Sequence, residues 1–403
     1  MDVIYLDFSK AFDRVDHKIL INKLQKNGIN GKILAWITSF LTGRSQRVSV
    51  NTFLSYVTEI ISGVPQGSVL GPLLFLIMIQ DIDEDVMNSI LSSFADDTRL
   101  MKGILDAFDI SNLQQDLNAV YKWTKKNNAE LNGLKFEHLR YGKNEHLKKQ
   151  SIYFADTGCQ IGTKSSVKDL GVILSSDMSY DLHIQKLVQK VKNISAWIYR
   201  TFKSRDQNLM LTLWKSLVIP HLDYCSQLWS PTKRCLMQEL ESLQKSYMNG
   251  IPSTKHLNYW EKLKELKLYS LERRRERYRI IYTWSILEGI VPNFNFDEGM
   301  GGIYGYTNQR LGRKCSLKAV NLGFKNIWKG SLSEEGPKLF NALPKNLRSI
   351  SNCTKNLFKS KLDHFLKTLP DEPLLPNYFQ FRRADSNSIL EMVKHQHRTS
   401  QVG

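Results

Sequence analysis

Two adjacent aspartates behind an apolar segment constrain this chain more than any other feature of its sequence. Asp96 and Asp97 follow ILSSFA (90–95) and precede TRLMKGI (98–104), so these segments predict a hairpin with the acids in or beside its turn. Neighbouring carboxylates repel each other, and burying even one of them is costly. A solvated turn is the ordinary explanation, because Asp is common in turns.

A third acid ends another predicted strand. The run VIYLDF (3–8) is short and apolar, as in a buried strand, and contains Asp7 near its end. If this strand and the hairpin are neighbours in one sheet, three carboxylates converge at one edge, which is unstable without a cation. Two divalent ions roughly 3.5–4 Å apart would neutralise them and activate an attacking oxygen in phosphoryl transfer. We therefore predict a site for two Mg²⁺ ions, for which Mn²⁺ can substitute.

The order of the segments predicts an α+β first part. After the strand, we predict helices over 16–28 and 31–43, a hairpin formed by RVSV and YVTEII, and an apolar helix with Pro72 in its first turn. A further helix covers 109–128, and a strand follows within ELNGLKFEHLRYG (130–142). The pattern gives a mixed or antiparallel sheet with helices on one face. Beyond it, SVKDLGVIL (166–174) is predicted to be one strand, 183–288 mostly helical, and GMGGIYGY (299–306) a flexible connector.

Charge is divided unevenly along the chain. Residues 1–150 carry 18 basic and 17 acidic side chains, whereas the other 253 carry 38 and 22. A basic second part indicates a polyanionic partner, and nucleic acid is favoured over membrane because no basic amphipathic helix with a bulky apolar face stands out. Five scattered cysteines without a CxxC pair argue against a disulfide framework or a zinc knuckle. They predict an intracellular setting, in the nucleus or the cytoplasm.

Several motifs, in order, resemble those of reverse transcriptases. Asp7 followed by AFD (11–13), GVPQGSVLGPLLF (63–75) and FADD (94–97) look like three successive motifs of that family. The amino-acid sequences of these motifs most resemble those of the non-LTR (LINE-type) retrotransposon enzymes of the jockey-like group. LNGLK (131–135) resembles the next motif, and VKDLGVIL (167–174) resembles the primer-grip strand. The segments 186–202 and 213–231 resemble the helical thumb and the region downstream of it.

The resemblance implies a polymerase-type palm over residues 1–180, including the primer-grip strand. It implies a helical thumb and connection over 181–290, and leaves 291–403 as a C-terminal region of unknown role. The implied activity is RNA-directed DNA polymerisation, in which dNTPs are added to a primer 3′-OH on an RNA template. Because the chain begins at the first catalytic strand, we expect an N-terminally truncated part of a longer enzyme, without its fingers. The alternatives are a catalytically dead nucleic-acid-binding remnant and an intron-encoded maturase, which shares the palm.

The same resemblance assigns the catalytic and metal-binding residues. Asp7, Asp96 and Asp97 would bind the metal ions, and the backbone carbonyl of Phe8 would add an oxygen ligand. Lys135 would protonate the departing pyrophosphate. A solvated lysine is the alternative for Lys135.

Residues that contact the incoming nucleotide are implied as well. Phe12 would lie under the sugar and exclude a 2′-hydroxyl, which selects deoxynucleotides. Gln66, in the Pro65–Gly67 loop, would lie against the templating pair and the incoming nucleotide, and Gly67 would allow a close backbone approach. The alternatives are a core aromatic residue for Phe12 and a plain turn for the loop.

One basic segment stands apart from the family motifs. ERRRERYR (272–279) predicts a helix with a belt of arginines that could bind phosphates. The belt consists of Arg273, Arg274, Arg275, Arg277 and Arg279. A solvated helix face is the alternative. The aromatic residues around it, such as Trp260 and Trp284, could stack on bases, although core packing is the more common role.

Overall fold

The structure, a computed structural model, describes residues 1–142, 144–291, 304–307, 314–317, 330–373, 375 and 386–399. The chain divides into two compact units, Met1–Ser179 and Tyr180–Gly403. Within the described residues, no helix combines the length and the apolar character needed to cross a membrane.

The first unit contains eleven strands and five helices among its described residues. The strands are β1 (Asp2–Leu6), β2 (Arg44–Gln46), β3 (Ser49–Val50), β4 (Phe53–Leu54), β5 (Thr58–Ile60), β6 (Ile90–Phe94), β7 (Asp97–Lys102), β8 (Glu137–Arg140), β9 (Gly162–Lys164), β10 (Ser166–Asp169) and β11 (Val172–Ser175). The helices are α1 (His17–Lys26), α2 (Gly31–Leu41), α3 (Leu70–Ile79), α4 (Ala107–Lys126) and α5 (Glu145–Gln150).

A five-stranded sheet organises this unit, with the strand order β6-β7-β1-β8-β9. All its pairings are antiparallel except β8–β9, which is parallel. Ile4 of β1 and Leu100 of β7 are opposite each other and lie in one hydrophobic core with Leu20 of α1 and Leu117 of α4. Since side chains alternate along a strand, Tyr5 points to the other face. The predicted α+β fold, with an antiparallel-rich sheet and helices against one face, is confirmed.

Two hairpins differ in how well the sequence predicted them. The predicted reversal of the chain over 44–60 is present, as a nested hairpin in which β2 pairs with β5 and β3 pairs with β4. The predicted pairing is wrong, because Ser49 and Val50 of RVSV pair with Phe53 and Leu54, not with YVTEII. The prediction of a single strand over 166–174 is wrong. The segment turns at Leu170 and Gly171, whose φ angles are +45° and +84°, and β10 pairs with β11 as a separate hairpin. Asp169 and Gly171 are common turn residues, but the apolar residues on both sides of them suggested one continuous strand.

The second unit is mostly helical, as predicted. Its helices are α6 (Asp181–Thr201), α7 (Gln207–Leu213), α8 (Ile219–Asp223), α9 (Ser226–Trp229), α10 (Arg234–Met248), α11 (Tyr259–Glu265), α12 (Leu271–Leu287), α13 (Leu332–Ala342), α14 (Lys345–Arg348), α15 (Lys355–Leu366) and α16 (Ile389–Thr399). Two short strands, β12 (Tyr304–Thr307) and β13 (Lys314–Leu317), form a hairpin. Most of the predicted connector 299–306 lies outside the described residues.

Helix α12 is the centre of the second unit. Trp284 is fully buried and stacks on Phe358 of α15, with ring centroids 4.5 Å apart. The hydroxyl of Tyr269, which precedes α12, donates to a carboxylate oxygen of Asp363 at 3.2 Å. The aromatic residues near the arginine-rich segment therefore serve in core packing, and residues on both sides of position 290 belong to one compact unit.

Candidate active site at the end of the central sheet

Two of the three predicted acids meet on the open face of the sheet. The register of β1 and β7 pairs Leu6 with Thr98, so the next residues along, Asp7 and Asp97, are opposite each other. Both acids line a cleft of about 160 Å³. Residues opposite each other in an antiparallel pair point to the same face, which places these carboxylates on the side away from the helices.

The Asp7 carboxylate is only partly satisfied by the protein. Its Oδ2 is buried and has no hydrogen-bond donor. The ammonium nitrogen of Lys135 lies 3.3 Å from this oxygen, close enough for an ion pair but without hydrogen-bond geometry. The ammonium therefore supplies a positive charge but no hydrogen bond, and because the Asp7 side chain is 40% exposed, its carboxylate remains accessible to a further cation.

Backbone pairing explains why Lys135 lies beside Asp7. The amide of Asn132 donates to the carbonyl of Asp7 at 2.8 Å, and the amide of Ser9 donates to the carbonyl of Glu130 at 2.8 Å. These bonds join the end of β1 to the segment before the short 3₁₀ turn Gly133–Lys135. The LNGLK motif is thereby held next to the end of β1, and the exposed Lys135 side chain extends toward the cleft.

Asp96 has a different position from the other two acids. It lies with Ala95 in the two-residue turn between β6 and β7, because Phe94 pairs directly with Asp97. Ala95 has a φ of +53°, which a tight two-residue hairpin turn requires. Among the residues that the structure describes, no group of three or more Asp, Glu, His or Cys side chains is placed to hold a metal ion. The expected convergence of all three carboxylates is therefore not present.

The donor atoms nevertheless suit a hard divalent cation. Carboxylate and backbone carbonyl oxygens are the ligands that Mg²⁺ prefers. The two hydrogen bonds that tie β1 to the LNGLK segment use the carbonyl of Asp7 and the amide of Ser9, so neither occupies the carbonyl of Phe8. Together with the unsatisfied Oδ2 of Asp7, these oxygens fit the predicted metal site.

The GVPQG loop is docked onto the AFD segment. The amide of Gly63 donates to the carbonyl of Val15 at 2.8 Å, and the amide of Val64 donates to the carbonyl of Phe12 at 2.9 Å. His17 and Arg44 both contact the carbonyl of Gly63 at 2.8 Å. Because several bonds connect the two segments, the loop has a fixed position relative to the segment 12–15, which follows β1.

Gln66 and Phe12 both have partners within the first unit. The side-chain amide of Gln66 donates to Oδ1 of Asp13 at 2.8 Å, and both side chains are exposed. Phe12 is half-buried and stacks on Phe75 of α3, with centroids 4.6 Å apart. Its contact with the core agrees with the alternative given above, while its partial exposure leaves room for a second role. The partner Asp13 stands in the AFD motif, but its role could not be deduced from sequence.

The β10–β11 hairpin forms another wall of the cleft. Val167, Lys168, Asp169 and Leu170 line the cleft that also contains Asp7 and Asp97. Arg99 of β7 makes an ion pair with Asp169. Sequence reasoning missed both Arg99 and Asp169, because 70 residues separate them and no motif marks the pair.

The arginine-rich segment does not form the predicted phosphate-binding belt. Arg273, Arg275 and Arg279 are at most 6% exposed. The other two bind carboxylates through two nitrogens each, Arg274 to Asp223 at 2.7 and 2.6 Å and Arg277 to Asp363 at 2.5 and 2.7 Å. The prediction of a phosphate-binding belt was wrong, because burial and ion pairing within the second unit occupy these guanidinium groups.

Comparison with known proteins identifies the first unit. Residues 3–174 match the family described as "Reverse transcriptase (RNA-dependent DNA polymerase)". This segment is a reverse transcriptase domain. It contains Asp7, the GVPQG loop, the FADD turn, Lys135 and the β10–β11 hairpin up to Leu174.

Relatives among curated proteins come from mobile elements. The RNA-directed DNA polymerase from mobile element jockey of Drosophila melanogaster is 28% identical over 264 residues, covering 61% of this chain and 28% of that protein. The probable RNA-directed DNA polymerase from transposon X-element of the same species is 25% identical over 252 residues, covering 60% and 27%. The similarity to non-LTR retrotransposon reverse transcriptases of the jockey-like group is confirmed. The chain spans about a quarter of the length of these relatives.

A likeness to a solved structure is weaker. The structure of apo telomerase from Candida tropicalis is matched over 66% of this chain and 45% of that chain, with 12% identity and a TM-score of 0.35.

Proposed function

We propose that the chain is the palm and thumb part of an RNA-directed DNA polymerase, which adds dNTPs to the 3′-OH of a primer on an RNA template. One observation carries the proposal. Asp7 and Asp97 line the same cleft on adjacent strands, and the buried Oδ2 of Asp7 has no hydrogen-bond donor. The names of the mobile-element relatives support the same activity.

The proposed metal ligands are Asp7, Asp96, Asp97 and the carbonyl of Phe8. Two Mg²⁺ ions, or Mn²⁺ in their place, would supply activation of the primer hydroxyl and charge stabilisation at the phosphate. Asp96 would join this set because it lies in the turn directly beside Asp97. The Lys135 ammonium, now 3.3 Å from Asp7, would instead meet the departing pyrophosphate and supply its proton.

The loop 63–67 and Phe12 would bind the incoming nucleotide. Val64 and Phe12 are joined by a backbone hydrogen bond, so the nucleotide would contact one rigid surface made of both segments. The exposed Gln66 side chain is available for a nucleotide once it leaves Asp13. The exposed edge of Phe12 would contact the sugar and exclude a 2′-hydroxyl.

The proposed nucleic-acid surface in the second unit lies on α6 rather than on α12. Lys186, Lys190, Asn193, Trp197 and Arg200 are exposed and follow one another at intervals of four, three, four and three residues. This spacing places them on one face of the helix. Positive charge beside an exposed aromatic ring suits phosphates and unstacked bases.

Primer extension tests the proposal. The purified chain is offered an RNA template with an annealed DNA primer, dNTPs and Mg²⁺ or Mn²⁺, beside the variants Asp96→Asn and Asp85→Asn. Asp85 is an exposed acid outside the cleft, so its variant controls for the loss of one charge.

We expect extension by the wild type and by Asp85→Asn, and none by Asp96→Asn, with duplex binding equal in all three. Absence of extension by the wild type would refute the proposal. If salt-sensitive duplex binding persisted in that case, the chain would be a non-catalytic nucleic-acid-binding protein.

A further inference from the structure

An ion pair connects two walls of the cleft. Arg99 of β7 donates to Oδ2 of Asp169, the last residue of β10. The Arg99 side chain is 26% exposed and that of Asp169 is 11% exposed. A pair so far withdrawn from water is less screened than a surface pair, and removal of one partner leaves a poorly solvated charge.

The two partners belong to opposite sides of the proposed site. Arg99 is two residues after Asp97 on the same strand, so both point to the open face of the sheet. Asp169 directly precedes the Leu170–Gly171 turn, and both Asp169 and Leu170 line the cleft. The ion pair therefore runs from the strand that carries a catalytic acid to the hairpin across from it.

The base of the hairpin is tethered by the backbone, because β9 of the central sheet ends one residue before β10, and its turn depends on side-chain contacts for its position. β10 and β11 form a two-stranded sheet of their own and are not part of the central sheet. A two-stranded ribbon is only marginally stable in isolation. Val167 and Val172 are buried, but apolar burial is non-directional and does not by itself fix the orientation of the hairpin. The Arg99–Asp169 pair adds a directional contact next to the turn.

We propose that Arg99 and Asp169 are positioning residues that hold the β10–β11 hairpin at a fixed distance from the Asp7 and Asp97 carboxylates. This inference rests on the proposed function, in which the cleft receives the primer terminus. With the hairpin as one wall and the carboxylates as another, the ion pair sets where the 3′-OH lies relative to the acids. Neither residue contacts the reacting atoms.

A double-mutant cycle tests the inference. The variants are Arg99→Gln, Asp169→Asn and the double variant, and Arg99→Lys keeps the charge but loses the planar fork. Two quantities are measured for each folded variant. One is the rate of adding a single dNTP, and the other is the fluorescence of 2-aminopurine at the primer 3′ end in the bound duplex.

A matched control exists on the same strand. Lys102, at the other end of β7, pairs with Asp109 at 3.4 Å, and these side chains are 14% and 19% exposed. Lys102→Gln therefore removes a similar ion pair that does not line the cleft. Thermal melting of each variant measures the loss of stability, so that rates are compared per folded molecule.

The expected result is a loss of rate without a loss of binding. Misplacement of a reacting group by about 1 Å lowers a rate roughly 100-fold, so each single variant is expected to be about 10- to 100-fold slower. The double variant should be no slower than the slower single variant, since both remove the same contact. Arg99→Lys should recover part of the rate, and Lys102→Gln should keep it. The 2-aminopurine signal should change in Arg99→Gln while the duplex Kd does not.

Other outcomes overturn the inference. Rate losses that multiply in the double variant would mean that the two residues act independently. A similar loss in Lys102→Gln would indicate general destabilisation. If the wild type does not extend primers, the proposed function fails, and the 2-aminopurine signal alone decides the inference. An unchanged signal in Arg99→Gln would then refute it, and a changed signal at equal duplex affinity would uphold the positioning role.

Discussion

Replacement of Gly63 by alanine tests how closely the GVPQG loop approaches the backbone of Asp13 in the AFD segment. A Cβ atom on Gly63 would lie 2.7 Å from the carbonyl oxygen of Asp13 and 2.9 Å from its Cα. Both are backbone atoms, so neither can move away as the end of a side chain could. The φ of Gly63 is +86°, a conformation that L-residues rarely adopt.

The magnitude follows from these two effects. The left-handed conformation costs an alanine about 1–2 kcal/mol, and forcing extra atoms into a packed contact costs about 1–3 kcal/mol. Gly63→Ala should therefore lower the free energy of unfolding of the first unit by about 2–5 kcal/mol, as the sum of these ranges. It should also weaken the hydrogen bond from Val64 to Phe12, which forms part of the proposed nucleotide surface.

Gly67 supplies the matched control. Its φ is +79°, but a Cβ on Gly67 would meet no atom within 4 Å. Gly67→Ala should therefore show only the conformational cost of about 1–2 kcal/mol. Urea denaturation followed by circular dichroism measures both variants. The reasoning is refuted if Gly63→Ala is no more destabilising than Gly67→Ala.

Three further predictions concern sugar selection, nucleic-acid binding and pH. Phe12→Val should raise the incorporation of rNTPs relative to dNTPs. The control Phe75→Leu removes the same ring stacking and should lower stability without changing this ratio. An equal ratio of rNTP to dNTP incorporation in both variants would assign Phe12 to the core. Lys190→Gln should reduce the salt dependence of duplex binding by about one phosphate contact. Arg277→Gln should leave the salt dependence unchanged and lower the melting temperature. A larger effect of Arg277→Gln than of Lys190→Gln on the salt dependence would instead support phosphate binding by the arginines of α12. Burial raises the pKa of Glu241 to about 7, above its ordinary value of 4.5. The folded state therefore binds the proton of Glu241 more tightly than the unfolded state does. The stabilisation that results from this difference is present below about pH 4.5 and is lost as the pH rises toward 7. Glu241→Gln should flatten the dependence of the unfolding free energy on pH over that range, and an unchanged slope would contradict the raised pKa.

Local patterns in the sequence predicted most of the first unit. The strand that ends before Asp7 and the hairpin around Asp96 were visible because short apolar runs alternate with turn residues. The carboxylate site requires this strand and this hairpin to be neighbours in one sheet, which the sequence alone could not show. The register of β1 and β7 supports that assumption for Asp7 and Asp97. Asp96 lies in the turn beside Asp97 and does not itself line the cleft.

Long-range contacts account for what the sequence did not predict. The charge run on α12 suggested a solvent-facing surface, but the carboxylates that bind Arg274 and Arg277 are 51 and 86 residues away. The ion pair between Arg99 and Asp169 spans a similar distance along the chain. Leu170 takes a φ of +45° although leucine disfavours that region, so tertiary contacts and the neighbouring Gly171 decide the turn.

Cation binding tests the central claim most directly. If Asp7 and Asp97 bind divalent ions at the end of the sheet, the wild type should bind Mn²⁺ in an electron paramagnetic resonance titration, and Mg²⁺ should displace it. Asp7→Asn should abolish this binding, and Asp85→Asn should retain it. Equal Mn²⁺ binding by the wild type and Asp7→Asn, or none by the wild type, would contradict the account.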